Sequence, residues 1–342
     1  MPRRATMQDL ARRAGVSVST VDRILNGRAE VRPATAARVL AAAEDLAFYA
    51  LPALRDRLTA RRGTAVRLGF LLQQSHRDFY RQIADGLRAA ATASPDPVEV
   101  EVEHMEDLSP EAVAGNILRL GPRVQALAVV SAEHPLVTKA IETLAAQGVP
   151  TYGLISDLTA ACGVGFFGLD NWRVGRTAGW AVAGLCRRAG QVGILMGNHR
   201  YRCQEMNEAG FRSYCREHGT HLTLLEPQQT FENRAIARDV TARLLRRDPG
   251  IVALFVCGGG MAGVLEVLEE VDPGRSICVV GLDLPEHTRM GLIAGRLSVV
   301  IAHPLDRLLA VAIAEMRADV AQGRATPARR VLPFDILTPE NV

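Results

Sequence analysis

The chain of 342 residues is 48% hydrophobic and 23% charged, and it is long enough for two or three domains with separate cores. Its net charge of +3 is unevenly spread: residues 1–63 hold twelve arginines and six acidic residues, or +6, which leaves −3 for residues 64–342. The short apolar runs and a basic N-terminus without an apolar core exclude a membrane span and a signal peptide, and so predict a cytoplasmic protein without a membrane partner.

Three helices are predicted for the basic segment. The first follows Thr6, a good N-cap residue, and ends at Gly15, which accepts a left-handed C-cap. The second follows Ser17 and reads "VSTVDRILN", and the third runs from Pro33 to about Phe48. Their apolar positions would form a small core made of Met7, Leu10, Ala11, Ala14, Val21, Ile24, Leu25, Ala34, Ala37, Val39, Leu40, Ala43 and Leu46. Two short helices joined by "AGV" are typical of a helix-turn-helix, whose second helix enters the DNA major groove.

The stretch "TMQDLARRAGVSVSTVDRILNGR…VRPATAARVLAAAEDLAF" resembles the head of the LacI (lactose repressor)-type transcription regulators. The order of elements in that family continues through the whole chain. The resemblance implies a helix-turn-helix head at 1–48, a hinge helix or linker at 49–63, and a two-lobed ligand-binding and dimerisation domain at 64–342. It also implies a homodimer, or a dimer of dimers, on a near-palindromic double-stranded DNA operator, with a small-molecule effector that alters its affinity.

The pattern of this family assigns the DNA contacts of the head. The side chains that reach base edges are Val18, Ser19 and Arg23, and arginine can pair bidentately with guanine. The phosphate contacts, which fix register but carry little sequence information, fall to Thr6, Ser17, Thr20 and Asn26. Asp22 stands where the family has a small serine, and we expect it either to orient Arg23 or to alter the operator.

A basic hinge is predicted after the head. Pro52 can begin a short helix that carries Leu54 and Leu58 among arginines that include Arg55 and Arg57. In the resembled family such helices meet in the minor groove, where a leucine, here Leu58, wedges between base pairs and bends the duplex. The alternative is a basic linker without a groove contact.

The body alternates strands and helices. Apolar runs from "VRLGFLL" to "LSVVIA" are separated by amphipathic stretches such as "RQIADGLRAAATA", which predicts a parallel α/β arrangement. There are too many strands for one compact sheet, so we expect two doubly wound lobes, as in the periplasmic sugar-binding proteins that the LacI-type body resembles. The predicted crossings between lobes lie near Leu169–Val174, near Met290–Leu297 and near the final strand, "ARRVLPFDIL".

Residues at the strand ends are the candidates for ligand binding, because ligands in open α/β sheets sit outside the carboxyl ends of the strands. Aromatic rings suit the C–H faces of a sugar, and amides and carboxylates suit its hydroxyls. The candidates are Gln73, Phe79, Tyr80, Ser131, Ser156, His199, Asn207, Phe231, Gly259, Asp283 and His303. Asn207 replaces an arginine of the family, and "CGGG" replaces an acidic or amide pair, which favours a neutral sugar or polyol as effector.

The stretch "FVCGGGMAGV" offers a different interpretation. Gly258, Gly260 and Gly263 spell G-x-G-x-x-G after a strand, and Asp283 ends the next strand, as in a dinucleotide-binding fingerprint. The alternative function is therefore an NAD(P)-dependent oxidoreductase of sugars or polyols. However, the motif comes eighth in strand order and no catalytic set accompanies it, so we expect these glycines to form a wall of the ligand cleft.

Two further classes of protein are disfavoured. A transport-type sugar-binding protein would have an export signal and no DNA-reading head. The six cysteines have no C-x-x-C pair or metal-ligand spacing, so we expect reduced thiols, no metal site, no cofactor and no enzyme. No leucine heptad follows the body, which favours a dimer over a tetramer.

Overall fold

A computed structural model describes residues 5–26, 33–46, 48–52, 54, 65–270, 276–324 and 326–342. The chain divides into two compact units, one made of Met1–Val66 with Ala93–Glu99 and the other of Arg67–Thr92 with Val100–Val342. None of the helices in the described ranges is long and apolar enough to cross a membrane.

The head contains three helices, α1 (Met7–Ala14), α2 (Val18–Asn26) and α3 (Pro33–Asp45). The predicted caps of the first two are confirmed. Thr6 and Asp9 form a capping box, Gly15 ends α1 with φ of 63°, and the Ser17 hydroxyl accepts a hydrogen bond of 3.2 Å from the backbone N–H of Thr20. The third helix ends at Asp45, three residues before the predicted end.

Most predicted core positions of the head are buried. The buried cluster consists of Leu10, Ala11, Ala14, Val21, Ile24, Val39, Ala42, Ala43, Phe48 and Leu54, with Met7, Leu25, Leu40 and Leu46 packed against it. The side chains of Ala34 and Ala37 lie outside the described residues. The spacing of these apolar residues gives each helix one inward face, which fixes how the three helices pack.

The first lobe of the body is built on a six-stranded sheet. Its strands are β1 (Val66–Gln73), β2 (Val98–Met105), β3 (Ala126–Val129), β4 (Thr151–Leu154), β5 (Gly165–Leu169) and β12 (Arg329–Leu332), in the order β12-β5-β4-β3-β1-β2. The helices of this lobe are α4 (Asp78–Ala93), α5 (Pro110–Leu120), α6 (Pro135–Ala146) and α12 (Leu305–Gln322). Strands β3, β4 and β5 are buried along their full length, as expected for parallel strands covered on both faces.

The second lobe is built on a seven-stranded sheet. Its strands are β6 (Gly190–Met196), β7 (Leu222–Leu224), β8 (Gln228–Gln229), β9 (Ile251–Val256), β10 (Cys278–Leu282), β11 (Val299–Ala302) and β13 (Asp335–Leu337). The order is β13-β11-β10-β9-β6-β7, with the short β8 paired to β6 and with β13 antiparallel to β11. The helices are α7 (Asn171–Leu185), α8 (Arg202–His218), α9 (Arg234–Arg247), α10 (Met261–Glu270) and α11 (Glu286–Ile293).

The chain crosses between the lobes three times. The first crossing, between β5 and α7, and the third, between β12 and β13, are where the sequence predicts them. The second prediction, Met290–Leu297, is wrong. Strand β11 still belongs to the second sheet, where Val299 pairs with Val280 of β10, and the chain crosses only between β11 and α12. The carboxyl ends of β1 and β11 and the N-terminus of α4, which follows β1, face one cleft.

Candidate functional site

The exposed face of α2 carries the side chains predicted to read DNA. Val18 is 41% exposed although it is apolar, and Ser19 and Arg23 are exposed beside it. The Arg23 guanidinium is held against the same helix, since its Nε donates to the Ser19 carbonyl at 3.2 Å. An exposed valine and a tethered arginine on one helical face form a small surface of the kind that reads base edges.

Asp22 does not orient Arg23, so that alternative is wrong. The Asp22 carboxylate instead accepts a hydrogen bond of 2.6 Å from the Asn26 amide, one turn further along α2. This geometry follows from the four-residue spacing, which brings the two side chains onto the same face of the helix. The carboxylate is thereby partly satisfied within α2.

Three of the four predicted phosphate contacts, Thr6, Ser17 and Thr20, lie at the starts of the first two helices, and the fourth, Asn26, is the last residue of α2. Thr6 precedes α1, and the Ser17 hydroxyl lies 2.8 Å from the Thr20 hydroxyl at the start of α2. Helix N-termini present free N–H groups and a positive dipole end, which suit phosphate. The other predicted DNA contacts, Arg55, Arg57 and Leu58, lie outside the described residues.

A cleft of about 1410 Å³ lies between the two lobes of the body. Nine of the eleven predicted ligand-binding residues line it: Gln73, Phe79, Tyr80, Ser156, Asn207, Phe231, Gly259, Asp283 and His303. They come from loops at the carboxyl ends of strands in both sheets and from the helices that follow, which is where open α/β sheets bind ligands. The cleft is therefore a candidate effector site.

Ser131 and His199 do not line this cleft. Ser131 is buried, and its hydroxyl donates a hydrogen bond of 2.9 Å to the carbonyl of Ala132. His199 is exposed. Asp170, which follows β5, caps α7 by accepting a hydrogen bond of 3.1 Å from the backbone N–H of Arg173, as expected for its position.

An ion pair between Arg77 and Glu232 crosses the cleft, and the sequence analysis misses both residues. Arg77 lies between β1 and α4 in the first lobe, and Glu232 lies between β8 and α9 in the second. Both side chains are largely buried, with exposed fractions of 16% and 7%. Burial disfavours the charged guanidinium, but the adjacent carboxylate outweighs that effect and raises the pKa of Arg77.

Two glutamines, one in each lobe, extend this ion pair through hydrogen bonds. Gln73 accepts a hydrogen bond of 2.9 Å from Arg77 and donates one of 2.8 Å to the Tyr201 hydroxyl. Gln204 donates one of 2.6 Å to Glu232 and accepts one of 2.7 Å from the backbone N–H of Gly197. The result is a continuous polar network from the end of β1 to the end of β6.

The glycine loop after β9 is shaped around this network. A Cβ at Gly259 would collide with the Glu232 carboxylate and lie 2.6 Å from Nη2 of Arg77. A Cβ at Gly258 would lie 2.6 Å from Oε1 of Gln204, and Gly260 has φ of 102°. A Cβ at Gly263 would collide with the backbone of α9, so this glycine allows α9 and α10 to pack closely. Packing within the lobe thus accounts for all the glycines of the fingerprint.

The cleft also concentrates unusual backbone conformations. In the described part of the chain, the non-glycine residues with positive φ are Ile155, Phe231, Glu232 and Asp283, and all four line the cleft. Such conformations cost free energy and persist where the surrounding structure holds them, often at functional sites. Here they direct Glu232 and Asp283 towards the space between the lobes.

Asp283 and His303 form a second polar pair in the cleft. The Nδ1 atom of His303 lies 2.6 Å from a carboxylate oxygen of Asp283, which also accepts a hydrogen bond of 3.1 Å from the His303 backbone N–H. With Nδ1–H donated to the carboxylate, Nε2 is the acceptor that His303 can offer to a ligand hydroxyl. The Phe79 ring lies beside it, with ring centroids 6.2 Å apart.

The thiols and phenols that line the cleft are not set up as nucleophiles. Burial raises the pKa of Cys203 to about 12 and also raises the pKa of Tyr80 and Tyr201, which disfavours their reactive anionic forms at neutral pH. Burial, with the Arg234 guanidinium nearby, lowers the pKa of His287. These environments suit a binding site whose polar groups stay neutral or paired.

Two families match different parts of the chain. Residues 68–325 match the family described as periplasmic binding protein domain, and residues 6–50 match the bacterial regulatory proteins of the lacI family. The chain belongs to the periplasmic binding protein family and carries a lacI-family head. Because its head matches the bacterial regulatory proteins of this family, the protein is a DNA-binding transcription regulator. The comparisons do not support the oxidoreductase alternative.

Individual relatives agree with this assignment. The regulator is 26% identical to the HTH-type transcriptional regulator GntR of Pseudomonas aeruginosa over 290 residues. The aligned region covers 82% of this chain and 80% of that protein. It is 36% identical over 93 residues to the maltose regulon regulatory protein MalI of Escherichia coli, 27% of this chain and 26% of that one. A periplasmic solute binding protein from Actinobacillus succinogenes with bound D-allose has a TM-score of 0.73 at 18% identity, over 81% of this chain and 98% of that one. This structural likeness shows the two-lobed fold of the body.

Proposed function

We propose that the regulator binds a near-palindromic operator as a homodimer and represses genes for the uptake or catabolism of a carbohydrate or polyol. A small neutral sugar or polyol binds in the cleft as the effector and alters the affinity for DNA. Because its partner is chromosomal DNA, the protein acts in the cytoplasm. No metal or cofactor takes part in this function.

Three buried polar atoms of the cleft carry the proposal for the effector. The Asn207 Oδ1, Thr288 Oγ1 and His303 Nε2 atoms are buried and have no hydrogen-bond partner among the described residues, and all three residues line the cleft. Buried polar atoms cost free energy unless they are hydrogen-bonded. Once lobe motion exposes these atoms to the cleft, the hydroxyl groups of a polyol can donate to each of them, while Phe79 and Phe231 offer rings for its C–H faces.

The names of relatives support a carbohydrate effector. MalI of Escherichia coli is named for the maltose regulon, and solved structures of the same fold carry D-allose and D-arabinose. The cleft of this protein lies between two lobes, so lobe closure on the effector is the motion that we propose to be transmitted to the head. Ser131 and His199 remain predicted contacts that would need such a motion.

The DNA part of the proposal rests on the exposed face of α2. Val18, Ser19 and Arg23 would contact base edges, and Thr6, Ser17, Thr20 and Asn26 would contact phosphates. Asp22 would alter the operator through its carboxylate. Arg55, Arg57 and Leu58 are proposed to form the minor-groove contact of the hinge.

The direct test is the selection of bound duplexes from random DNA by the full-length protein, repeated with a panel of neutral sugars and polyols. We expect a near-palindromic site whose recovery changes when one compound is added. Failure to enrich any site would overturn the DNA-binding part of the proposal. An enriched site that no compound affects would overturn the effector part.

A substitution of Arg23 tests which residue reads the operator. We expect Arg23→Ala to reduce the preference for the selected site by roughly 1–3 kcal/mol, because a bidentate contact to a base is lost. Arg13→Ala removes the same charge from α1, where Arg13 pairs with Asp45 at 2.6 Å, and serves as the matched control. The control should keep the sequence preference, and equal losses in the two variants would contradict the assigned contact.

A further inference from the structure

The Arg77–Glu232 ion pair lies inside the proposed effector site and joins its two walls. The two residues are 155 positions apart in the sequence and belong to different lobes. Either charge alone in this largely buried position would be strongly unfavourable, because water no longer solvates it. Together they place a cation and an anion, but no net charge, in the middle of the cleft.

Neighbouring side chains take up further hydrogen-bonding groups of the pair. Arg77 donates to Gln73, and its guanidinium carbon lies 4.8 Å from the centre of the Tyr80 ring. Glu232 accepts from Arg77 through one oxygen and from Gln204 through the other. Because a ligand that separated the pair would leave one buried charge unpaired, we expect the pair to stay intact when an effector binds.

The backbone around Glu232 leaves room for its carboxylate alone. A Cβ at Gly197 or at Gly259 would collide with this carboxylate, and Glu232 itself has φ of 60°. Three backbone positions on three different loops are thus adapted to one side chain. The arrangement is a built site for a counter-ion, and not an incidental surface salt bridge.

The other buried carboxylate of the cleft is compensated in the same way. Asp283 is held by the ring and backbone N–H groups of His303. The rim arginines Arg234 and Arg238 pair with Glu266 on α10. Arg296 also lines the cleft, but it is exposed at the rim. In the described interior, the Arg77 guanidinium is paired with Glu232, so the interior offers hydrogen-bonding groups to an uncharged ligand.

We propose that Glu232 determines the class of effector, because it neutralises Arg77 and so keeps the cleft selective for uncharged polyhydroxylated ligands and against sugar acids. Without this counter-ion the guanidinium would bind a carboxylate bidentately, as arginine commonly does. The inference rests on the proposed function of the cleft as the effector site. It assigns to one residue the choice between two chemical classes of ligand.

The test measures dissociation constants by calorimetry for matched pairs of compounds. The neutral series is D-glucose, D-galactose, D-allose and D-arabinose, and the acidic series is the aldonates with the same carbon skeletons. Wild-type protein is expected to favour the neutral member of a pair. Glu232→Gln should shift the ratio of dissociation constants towards the acid by at least about tenfold, since its buried guanidinium lacks a counter-ion.

Two further variants make the result specific to the pair. The double variant Arg77→Gln/Glu232→Gln carries neither charge and should return the ratio to the wild-type preference. Glu217→Gln is the matched control, because it removes a carboxylate that pairs with Arg176 at 2.9 Å, and neither residue lines the cleft. It should leave the ratio unchanged.

The outcomes separate this inference from the proposed function. Sugar binding with an unchanged ratio in Glu232→Gln would overturn the inference alone, and so would a wild-type preference for the acids of about tenfold or more. Binding of neither series by any variant would overturn the proposed effector class itself. If circular dichroism shows that Glu232→Gln is unfolded, a wild-type preference for the acids would still overturn the inference.

Discussion

At the scale of single residues, a substitution of Gly259 tests whether the ion pair needs the glycine loop. We expect Gly259→Ala to push the Glu232 carboxylate away from Arg77, because the added Cβ would overlap the carboxylate. The overcrowding should cost roughly 1–3 kcal/mol. The Glu232 side chain in the cleft, and not the backbone, has to move. Most of this cost should therefore appear as weaker effector binding, which calorimetry measures.

Gly115→Ala is the matched control for this substitution. Gly115 lies in the exposed part of α5, and a Cβ there would meet nothing within 4 Å. This change should leave effector binding intact and stabilise the protein by up to about 1 kcal/mol in denaturant unfolding, because alanine favours helix over glycine. Unchanged effector binding in both variants would refute the role assigned to the loop.

The sequence predicts which residues line the cleft better than it predicts which side chains pair with each other there. Phe79, Phe231 and Asp283 follow strands, and this position alone places them at the right edge of the sheets. Glu232 directly follows the predicted Phe231, and Arg77 lies two positions before the predicted Phe79, yet their pairing joins loops 155 positions apart. No local pattern encodes such a contact, because it exists only after two lobes have folded and met.

The glycine motif shows the same limit. Its spacing reproduces a dinucleotide fingerprint because both sites need a tight turn between a strand and a helix. In the structure, Gly258 leaves space for the side chain of Gln204, Gly259 leaves space for the carboxylate of Glu232, and Gly263 allows α9 and α10 to pack closely. The motif therefore predicts a backbone conformation, a tight turn between a strand and a helix. Which group occupies the space beside the glycines depends on residues that are distant in the sequence.

At the scale of secondary-structure elements, Asp319 connects the last long helix of the body to the first sheet. This buried carboxylate, in the last turns of α12, accepts hydrogen bonds of 2.8 Å from the Tyr152 hydroxyl of β4 and of 2.6 Å from the Ala328 backbone N–H before β12. Arg324 donates to it at 3.0 Å. Burial, together with the negative charge of Asp319, raises the pKa of Tyr152, so the hydroxyl remains a donor.

We expect Asp319→Ala to lower the free energy of unfolding by about 3 kcal/mol, because two buried donors lose their acceptor. Asp319→Asn keeps an oxygen acceptor and should cost less. Asp335→Asn, an exposed position on β13, should change stability little. Urea unfolding of the three variants checks this order, and equal losses for Asp319→Ala and Asp335→Asn would contradict it.

The elements themselves are largely predictable, and their exceptions have physical causes. The buried strands produce apolar runs that predict every strand from β1 to β11 except β8, which has only two residues and is polar. The second crossing is misplaced because β11 has the same apolar character in either lobe. Its assignment depends on the pairing of Val299 with Val280, which a one-dimensional pattern does not contain.

At the scale of the whole body, polar contacts hold the two lobes together around the cleft. Gln73 in the first lobe donates to Tyr201 in the second at 2.8 Å, and Asp78 of α4 lies 3.6 Å from His287 of α11. Each contact can form only when the lobes approach, so each favours the closed form over the open one. An effector that prefers the closed form gains apparent affinity from them, because less of its binding free energy is used for closure.

Tyr201→Phe tests this coupling, because it removes the hydroxyl that Gln73 contacts and leaves a buried amide N–H without its acceptor. We expect closure to become less favourable by roughly 1–3 kcal/mol. Effector affinity should fall in proportion, by about 5- to 150-fold. Distances between spectroscopic labels on the two lobes should lengthen in the effector-free variant and return to the wild-type value at saturating effector.

Tyr214→Phe removes a tyrosine hydroxyl from α8, the helix that begins directly after Tyr201, at a position that does not line the cleft. Wild-type label distances and effector affinity in this control, with both altered in Tyr201→Phe, would tie the effect to the contact between the lobes. If Tyr201→Phe weakens effector binding while the label distances stay constant, the hydroxyl acts on the ligand directly and does not control closure. Effector affinity measured in the presence of operator DNA then shows whether lobe closure is coupled to DNA binding by the head. If the effector changes operator affinity by a given factor, the operator must change effector affinity by the same factor.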